Sequence, residues 1–125
     1  MFADHEVMAT IAVRNLKTAR TFYENTVGLK PAAKQREGTV AFQCGSSILL
    51  IYESQFAGTN KATSATWRAG DEVDAIARTL KAKGVTFEHY EFPGMTLQGD
   101  VHVMGAHRVA WFKDQDGNIL SIVNG

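Results

Sequence analysis

The order strand, helix, strand, strand, strand runs through this 125-residue chain twice, and no other feature restricts its fold as tightly. A repeat sets the architecture before finer signals are weighed. In the first unit, Val7 to Val13 is a short β-branched run that reads as a strand. Asn15 then offers a helix N-cap, and Leu16, Ala19, Phe22, Tyr23 and Val27 recur at helical spacing up to a C-cap at Gly28. A weaker strand over Lys30 to Arg36 is broken at its start by Pro31. Strands over Thr39 to Cys44 and Ser47 to Tyr52 follow, joined by a turn at Gly45-Ser46. The second unit repeats the plan. Thr63 to Ala69 is a strand, and Asp71 is the expected cap of a helix carrying Val73, Ile76, Ala77 and Leu80. Gly84 ends that helix, and strands are expected over Val85 to Tyr90, Arg108 to Lys113 and Ile119 to Val123.

Neither unit stands alone, because a sheet of roughly 60 residues leaves one face and one edge uncovered. The expectation is a single α+β domain over residues 1–125. It has module 1 at 5–54, a polar linker at 55–62 and module 2 at 63–125. The two paired β-α-β-β-β modules would form a curved, partly open mixed sheet around a central cleft, with the helices outside.

The register of the last hairpin is the sharpest local reading. In VAWFKDQDGNILSIV, Asp114-Gln115-Asp116-Gly117 forms a type I turn closing on a left-handed glycine. A three-residue loop pairs Asp114 with Asn118, Trp111 with Ser121, and Phe112 with Leu120. Cross-strand partners share a face, so Trp111 and Ser121 point one way and Phe112 and Leu120 the other. Alternation from Ser121, with Ala41-Phe42 laid over Ala110-Trp111, predicts Phe42, Leu50, Tyr52, Trp111 and Ser121 on the cleft side. In the strand SATWRAG either Trp67 or Arg68 faces the cleft, as a stacking platform or as a cationic anchor.

Charge and cysteine content exclude several classes. Acidic and basic residues balance at 13 each, so nothing favours nucleic acid or an anionic membrane. Cys44 is the single cysteine, which removes an intramolecular disulfide and any cysteine-based zinc site. No signal peptide is recognised, and no apolar run approaches the ~20 residues of a membrane span; a cytoplasmic location is expected. Residues 93–107, PGMTLQGDVHVMGAH, interrupt the second unit. Their apolar content (Met95, Leu97, Val101, Val103, Met104) suits a loop that folds down over the cleft.

The doubled plan, NLKTARTFYENTVGLKP in the first half and the DQDGN hairpin in the second resemble the vicinal oxygen chelate superfamily. That superfamily includes glyoxalase I, extradiol dioxygenases, fosfomycin-resistance enzymes and bleomycin-resistance proteins. The resemblance implies a divalent metal held by His, Gln or Glu from the first and last strand of each half. Carried over, those positions fall at Met8, at Leu50 (or Leu49 with a one-residue slip), at Ser64 or Ala65, and at Ser121; the first of them implies that Met8 and Thr10 also face the cleft. None suits a hard or borderline cation. His5 and Glu53 are odd offsets from these positions and point to the opposite face.

The expected function is therefore a metal-independent, cofactor-free small-molecule-binding protein, similar in kind to the antibiotic-sequestering members. Its apolar or aromatic ligand would contact Phe42, Tyr52, Trp111, Ser121, His102 and either Trp67 or Arg68. Bleomycin itself is disfavoured, since a large cation suits an acidic cleft. The alternative is a lyase, isomerase or dioxygenase with an atypical site at the loop histidines His102 or His107. An interaction module with a filled core is a third reading. No single residue is assigned catalysis, and a homodimer is expected.

Overall fold

A computed structural model describes residues 1–125. It contains ten strands: β1 (Ala9–Val13), β2 (Lys30–Pro31), β3 (Thr39–Cys44), β4 (Ser47–Glu53), β5 (Thr63–Arg68), β6 (Phe87–Glu88), β7 (Thr96–Gln98), β8 (Val101–Met104), β9 (His107–Lys113) and β10 (Ile119–Val123). Helix α1 (Leu16–Thr21) runs on through a π turn at Phe22–Thr26, and α2 is Val73–Ala82. The architecture is α+β, with one mixed sheet per half. The first has the order β1-β4-β3-β2, and the second runs β5-β10-β9-β8-β7 with β6 also on β9. In each, the first strand lies parallel to the last, β1 on β4 and β5 on β10. The sheets meet where β1 and β5 touch, with no hydrogen-bond ladder between them.

Alternation sorts each strand into two faces. Ile11, Val13, Val40, Phe42, Leu49 and Ile51 of the first sheet join Phe112, Leu120 and Ile122 of the second in one continuous core. The core also takes Ala19 and Tyr23 from the α1 segment and Val73, Ala77 and Leu80 from α2. Asn15 caps α1 by accepting from the Thr18 N–H at 2.9 Å. The expected Asp71 cap is absent; a 3₁₀ turn over Gly70–Glu72 leads into α2 without a side-chain cap.

Two expected strands are shorter than their sequence runs. Past Pro31, the Gln35 side chain occupies the edge of β3, accepting from Ala41 N at 2.9 Å and donating to Ala41 O at 2.8 Å. Ala32 N–H still donates to Ala41 O at 2.9 Å, and beyond it the side-chain amide takes the place of a backbone partner. In the second half only Phe87–Glu88 pairs with β9, because β8 takes the other end of the same edge. Residues 93–107 are not a loop over the cleft. β7 and β8 form a hairpin that continues the sheet beyond β9, and the left-handed Gly99 (φ 62°) makes its turn possible.

The β9–β10 turn binds the halves together. The Asp114 carboxylate accepts from Asp116 N and Asn118 N (2.9 Å each), from Asn118 Nδ2 (2.8 Å) and from the Tyr23 hydroxyl (2.7 Å). Asn118 Nδ2 also donates to Ala12 O at 2.8 Å, and Asp116 Oδ2 accepts from Arg14 N at 2.9 Å. Tyr23, Ala12 and Arg14 belong to the first half, so the DQDGN turn is the fastener between modules. Burial, reinforced by the Asp114 carboxylate, pushes the Tyr23 phenol far above its ordinary value.

Candidate functional site

The faces turned away from the helices carry most of the expected site. β10 pairs Ser121 with Trp111 and Leu120 with Phe112, the register the sequence predicts. On β5, Thr66 stands opposite Ser121 and Arg68 opposite Val123, while Trp67 stands opposite Ile122. Arg68 therefore shares the Ser121 face. Trp67 turns to the helix side and packs against the core. A register shift at the start of this ladder puts Thr66, rather than Ser64 or Ala65, beside Ser121. Arg68 is exposed, and its Nε donates to Gly125 O at 3.1 Å.

Phe42 is corrected. It is fully buried on the helix side, 6.0 Å from Tyr23 ring to ring. β4 pairs Leu50 with Ala41 and Leu49 with Phe42, so the counterpart of Trp111 is Ala41, and Phe42 corresponds to Phe112. The β3–β4 hairpin closes in two residues, with Gly45 at φ 57°, whereas β9–β10 uses a three-residue loop. Laying one hairpin over the other by composition slid them by one position, and a one-residue slip exchanges faces. Tyr52 lies on the Leu50 side and is 39% exposed. Met8, half exposed, precedes β1.

Trp111 dominates the second sheet's open face. Its Nε1 donates to Thr63 Oγ1 on β5 at 3.2 Å, so the indole reaches across the intervening β10. Ser121, in the strand it crosses, is only 3% exposed, and its Oγ lies 2.7 Å from Thr66 Oγ1. On its other side Trp111 meets three rings: His102 at 4.9 Å, Tyr90 at 5.2 Å and Phe92 at 5.6 Å between centroids. Tyr90, Phe92 and His102 also line a cavity of about 700 Å³, together with His89, Glu91, Pro93, Met95, Thr96 and Leu97. Tyr90 and Phe92 were not among the expected site residues. Their alternation in EHYEFPG, just ahead of Pro93-Gly94, was the available signal.

His102 is a strand residue of β8, 2% exposed. Its Nε2 accepts from Tyr90 N–H at 2.9 Å. His107 is exposed on β9. His89 is about half exposed and bonds Asp100 at 2.8 Å, with Lys81 on the other carboxylate oxygen at 3.4 Å. The His89 hydrogen bond and the Lys81 charge hold the Asp100 carboxyl below its ordinary range. A second cavity, of about 760 Å³, opens where the two halves meet and is lined by Leu29, Cys44, Ile48, Ala65 and Trp67 among others. Burial pushes the Cys44 thiol up, and Trp67 partly offsets this.

Two four-to-six-stranded mixed sheets with helices on one side and an open face on the other define a vicinal oxygen chelate fold. The chain belongs to the Glyoxalase/Bleomycin resistance protein/Dioxygenase superfamily, whose sequence model matches residues 5–122. Lactoylglutathione lyase from Agrobacterium tumefaciens is similar in structure at 20% identity, with a TM-score of 0.70 over 96% of this chain and 92% of that one. The fosfomycin resistance protein FosX from Listeria monocytogenes is 18% identical, with a TM-score of 0.71 over 98% and 93%. An integron cassette protein from the mobile metagenome of Vibrio cholerae is 20% identical, with a TM-score of 0.66 over 98% and 96%. No curated protein sequence matches.

One structure of a variant of the Listeria protein is complexed with Mn(II) and 1S,2S-dihydroxypropylphosphonic acid. The residues of this chain do not fit such a metal. No three His, Cys, Asp or Glu side chains converge anywhere in it. On the open face the donors are the Ser121 and Thr66 hydroxyls, which are neutral and bonded to each other, a poor set for a divalent cation. No helix is long and apolar enough to cross a membrane.

Proposed function

We propose that this chain is a metal-independent small-molecule-binding protein of its superfamily, taking an apolar or aromatic ligand on the Trp111 face. The carrying observation is the wall formed by Trp111, Tyr90, Phe92 and His102 beside the 700 Å³ cavity. Mostly apolar walls with a few polar groups are what small-molecule pockets use. Trp111 stacks, Ser121 and Thr66 replace ionic ligands with a neutral hydroxyl pair, and Tyr52 and Arg68 lie on the open faces for contacts beyond the wall. Burial of aromatic surface is the driving force, at ~25 cal/mol per Å². We further propose a cytoplasmic homodimer, supported by exposed apolar residues at Phe2, Val7, Met8 and Phe56; light scattering reporting 13.7 kDa would overturn the dimer.

The test is a melting-temperature screen against uncharged aromatic compounds, alongside metal analysis of protein purified without chelator. A ligand at 100 times its Kd stabilises the native state by about 2.7 kcal/mol. That is about 10 °C for a chain of this size. Hits in wild type that weaken in Trp111→Ala support the reading. Stoichiometric iron, manganese, nickel or zinc, lost on replacing His102 or His107, would overturn it in favour of an enzyme with an atypical site.

A further inference from the structure

The seam between the halves stays open at one end. On the helix side of β1, Ile11 and Val13 are fully buried in the core, but Ala9, the preceding residue on that face, stands at the second cavity, of about 760 Å³. Ala65 and Trp67 line this cavity from β5, Leu29 from the segment after α1, and Cys44 and Ile48 from the β3–β4 hairpin. Leu29, Cys44, Ala65 and Trp67 are each half-buried against the core. Apolar side chains left half-buried around a concavity are surface that a ligand can take from water. None of Trp111, Tyr90, Phe92 and His102 lines this space.

The charges around the cavity are of one sign. Lys30 and Arg68 line it, and no Asp or Glu does. Neither cation pairs with an acidic side chain elsewhere. Arg68 engages only its Nε, on Gly125 O at 3.1 Å, which leaves both Nη groups. The edge of β5 adds main-chain donors. Ala69 N–H bonds Val123 O of β10 at 2.8 Å. Successive amides of a strand point to opposite edges, so those of Thr66 and Arg68 turn from β10 toward β1, where no ladder takes them. The first cavity has the reverse sign, with Glu91 in its lining and no lysine or arginine. The chain's zero net charge conceals this difference.

We propose that the cavity at the seam is a second binding site, for a small carboxylate with an apolar chain or ring. Lys30, the Arg68 Nη groups and the edge amides of β5 take the carboxylate. Trp67, Leu29 and Ile48 take the apolar body. A cationic head would meet Lys30 and Arg68 with like charge, and a neutral one would leave both unanswered. This site is independent of the Trp111 face, and neither requires the other.

The chain has two tryptophans, which makes the test site-specific. Trp67 lines this cavity and Trp111 does not, so their indole N–H resonances report the two sites separately. Octanoate, octanamide and octylammonium vary the head charge on one tail, and each is titrated into the intact chain by NMR. Octanoate should move the Trp67 indole resonance and bind about fivefold more tightly than octanamide, as two partly solvated cations contribute together. Octylammonium should bind more weakly still. The octanoate preference should shrink at high salt. It should be lost in Lys30→Gln/Arg68→Gln, where both replaced side chains are exposed. Saturating octanoate should also slow the reaction of Cys44 with a neutral disulfide in wild type, a readout that needs no variant. Octanamide or octylammonium binding as tightly as octanoate, a preference that survives the double substitution, or no protection of Cys44 overturns the proposal. So does a shift of Trp111 without Trp67, or failure of all three probes to bind. Each of these results leaves the Trp111 reading to its own test.

Discussion

Tyr23→Phe isolates the bond that ties the first module to the second. The ring is fully buried and stays packed on Phe42, so the substitution leaves no cavity. What goes is the 2.7 Å hydrogen bond from the hydroxyl to Asp114 Oδ2. A hydrogen bond to a charged group contributes ~1.5–3 kcal/mol. Asp114 keeps three other donors, at 2.8 and 2.9 Å, so the carboxylate is not stranded and the upper end of that range is not expected. The unfolding entropy of a chain this long is roughly 0.26 kcal/mol per degree, so melting should fall by about 6–10 °C by calorimetry. A cycle with Asp114→Ala removes ambiguity. In that background the Tyr23 hydroxyl is a buried donor without its partner, and Tyr23→Phe should cost less than about 0.5 kcal/mol or even stabilise. A wild-type shift under 2 °C, or equal costs in both backgrounds, would refute the claim that this contact joins the modules.

The same fastener predicts the behaviour of Gly58. A Cβ there would lie 1.8 Å from Asp116 O, and φ is already +72°, so Gly58→Ala should destabilise by at least about 3 kcal/mol in urea unfolding. The Asp100 carboxyl is depressed by His89 and Lys81. A depressed carboxyl stabilises the fold above its unfolded pKa of about 3.9 and loses that contribution as pH falls through the lower folded value. Stability of wild type relative to Asp100→Asn should therefore be larger at pH 6 than at pH 3, and a constant difference would contradict the assignment. Cys44 has a raised thiol pKa from burial, so its reaction with a disulfide reagent at pH 8 should be slower than that of a small free thiol and should accelerate in urea.

What could be read from the sequence follows the range of the forces involved. The β9–β10 register depends on four turn residues acting locally, and Trp111, Ser121, Phe112 and Leu120 fall where turn chemistry sends them. The face of Phe42 depends on whether a turn closes in two residues or three, which composition alone does not settle. The β7–β8 hairpin was hidden for another reason. Its strands are three and four residues long and sit among glycines, so too little alternation accumulates to be told from a loop. The aromatic wall is assembled by tertiary contact. Tyr90 and Phe92 come from the segment after β6, His102 from β8 and Trp111 from β9, and only the folded sheet edge brings them together.

The fastener and the open face occupy interleaved sites on one hairpin. Asp114, Asp116 and Asn118 hold the modules, while Trp111 and Ser121 look the other way. The open face is thereby separate from the hydrogen bonds that dock the two halves. Substitutions at positions 111 and 121 leave untouched the hydrogen bonds by which the halves dock.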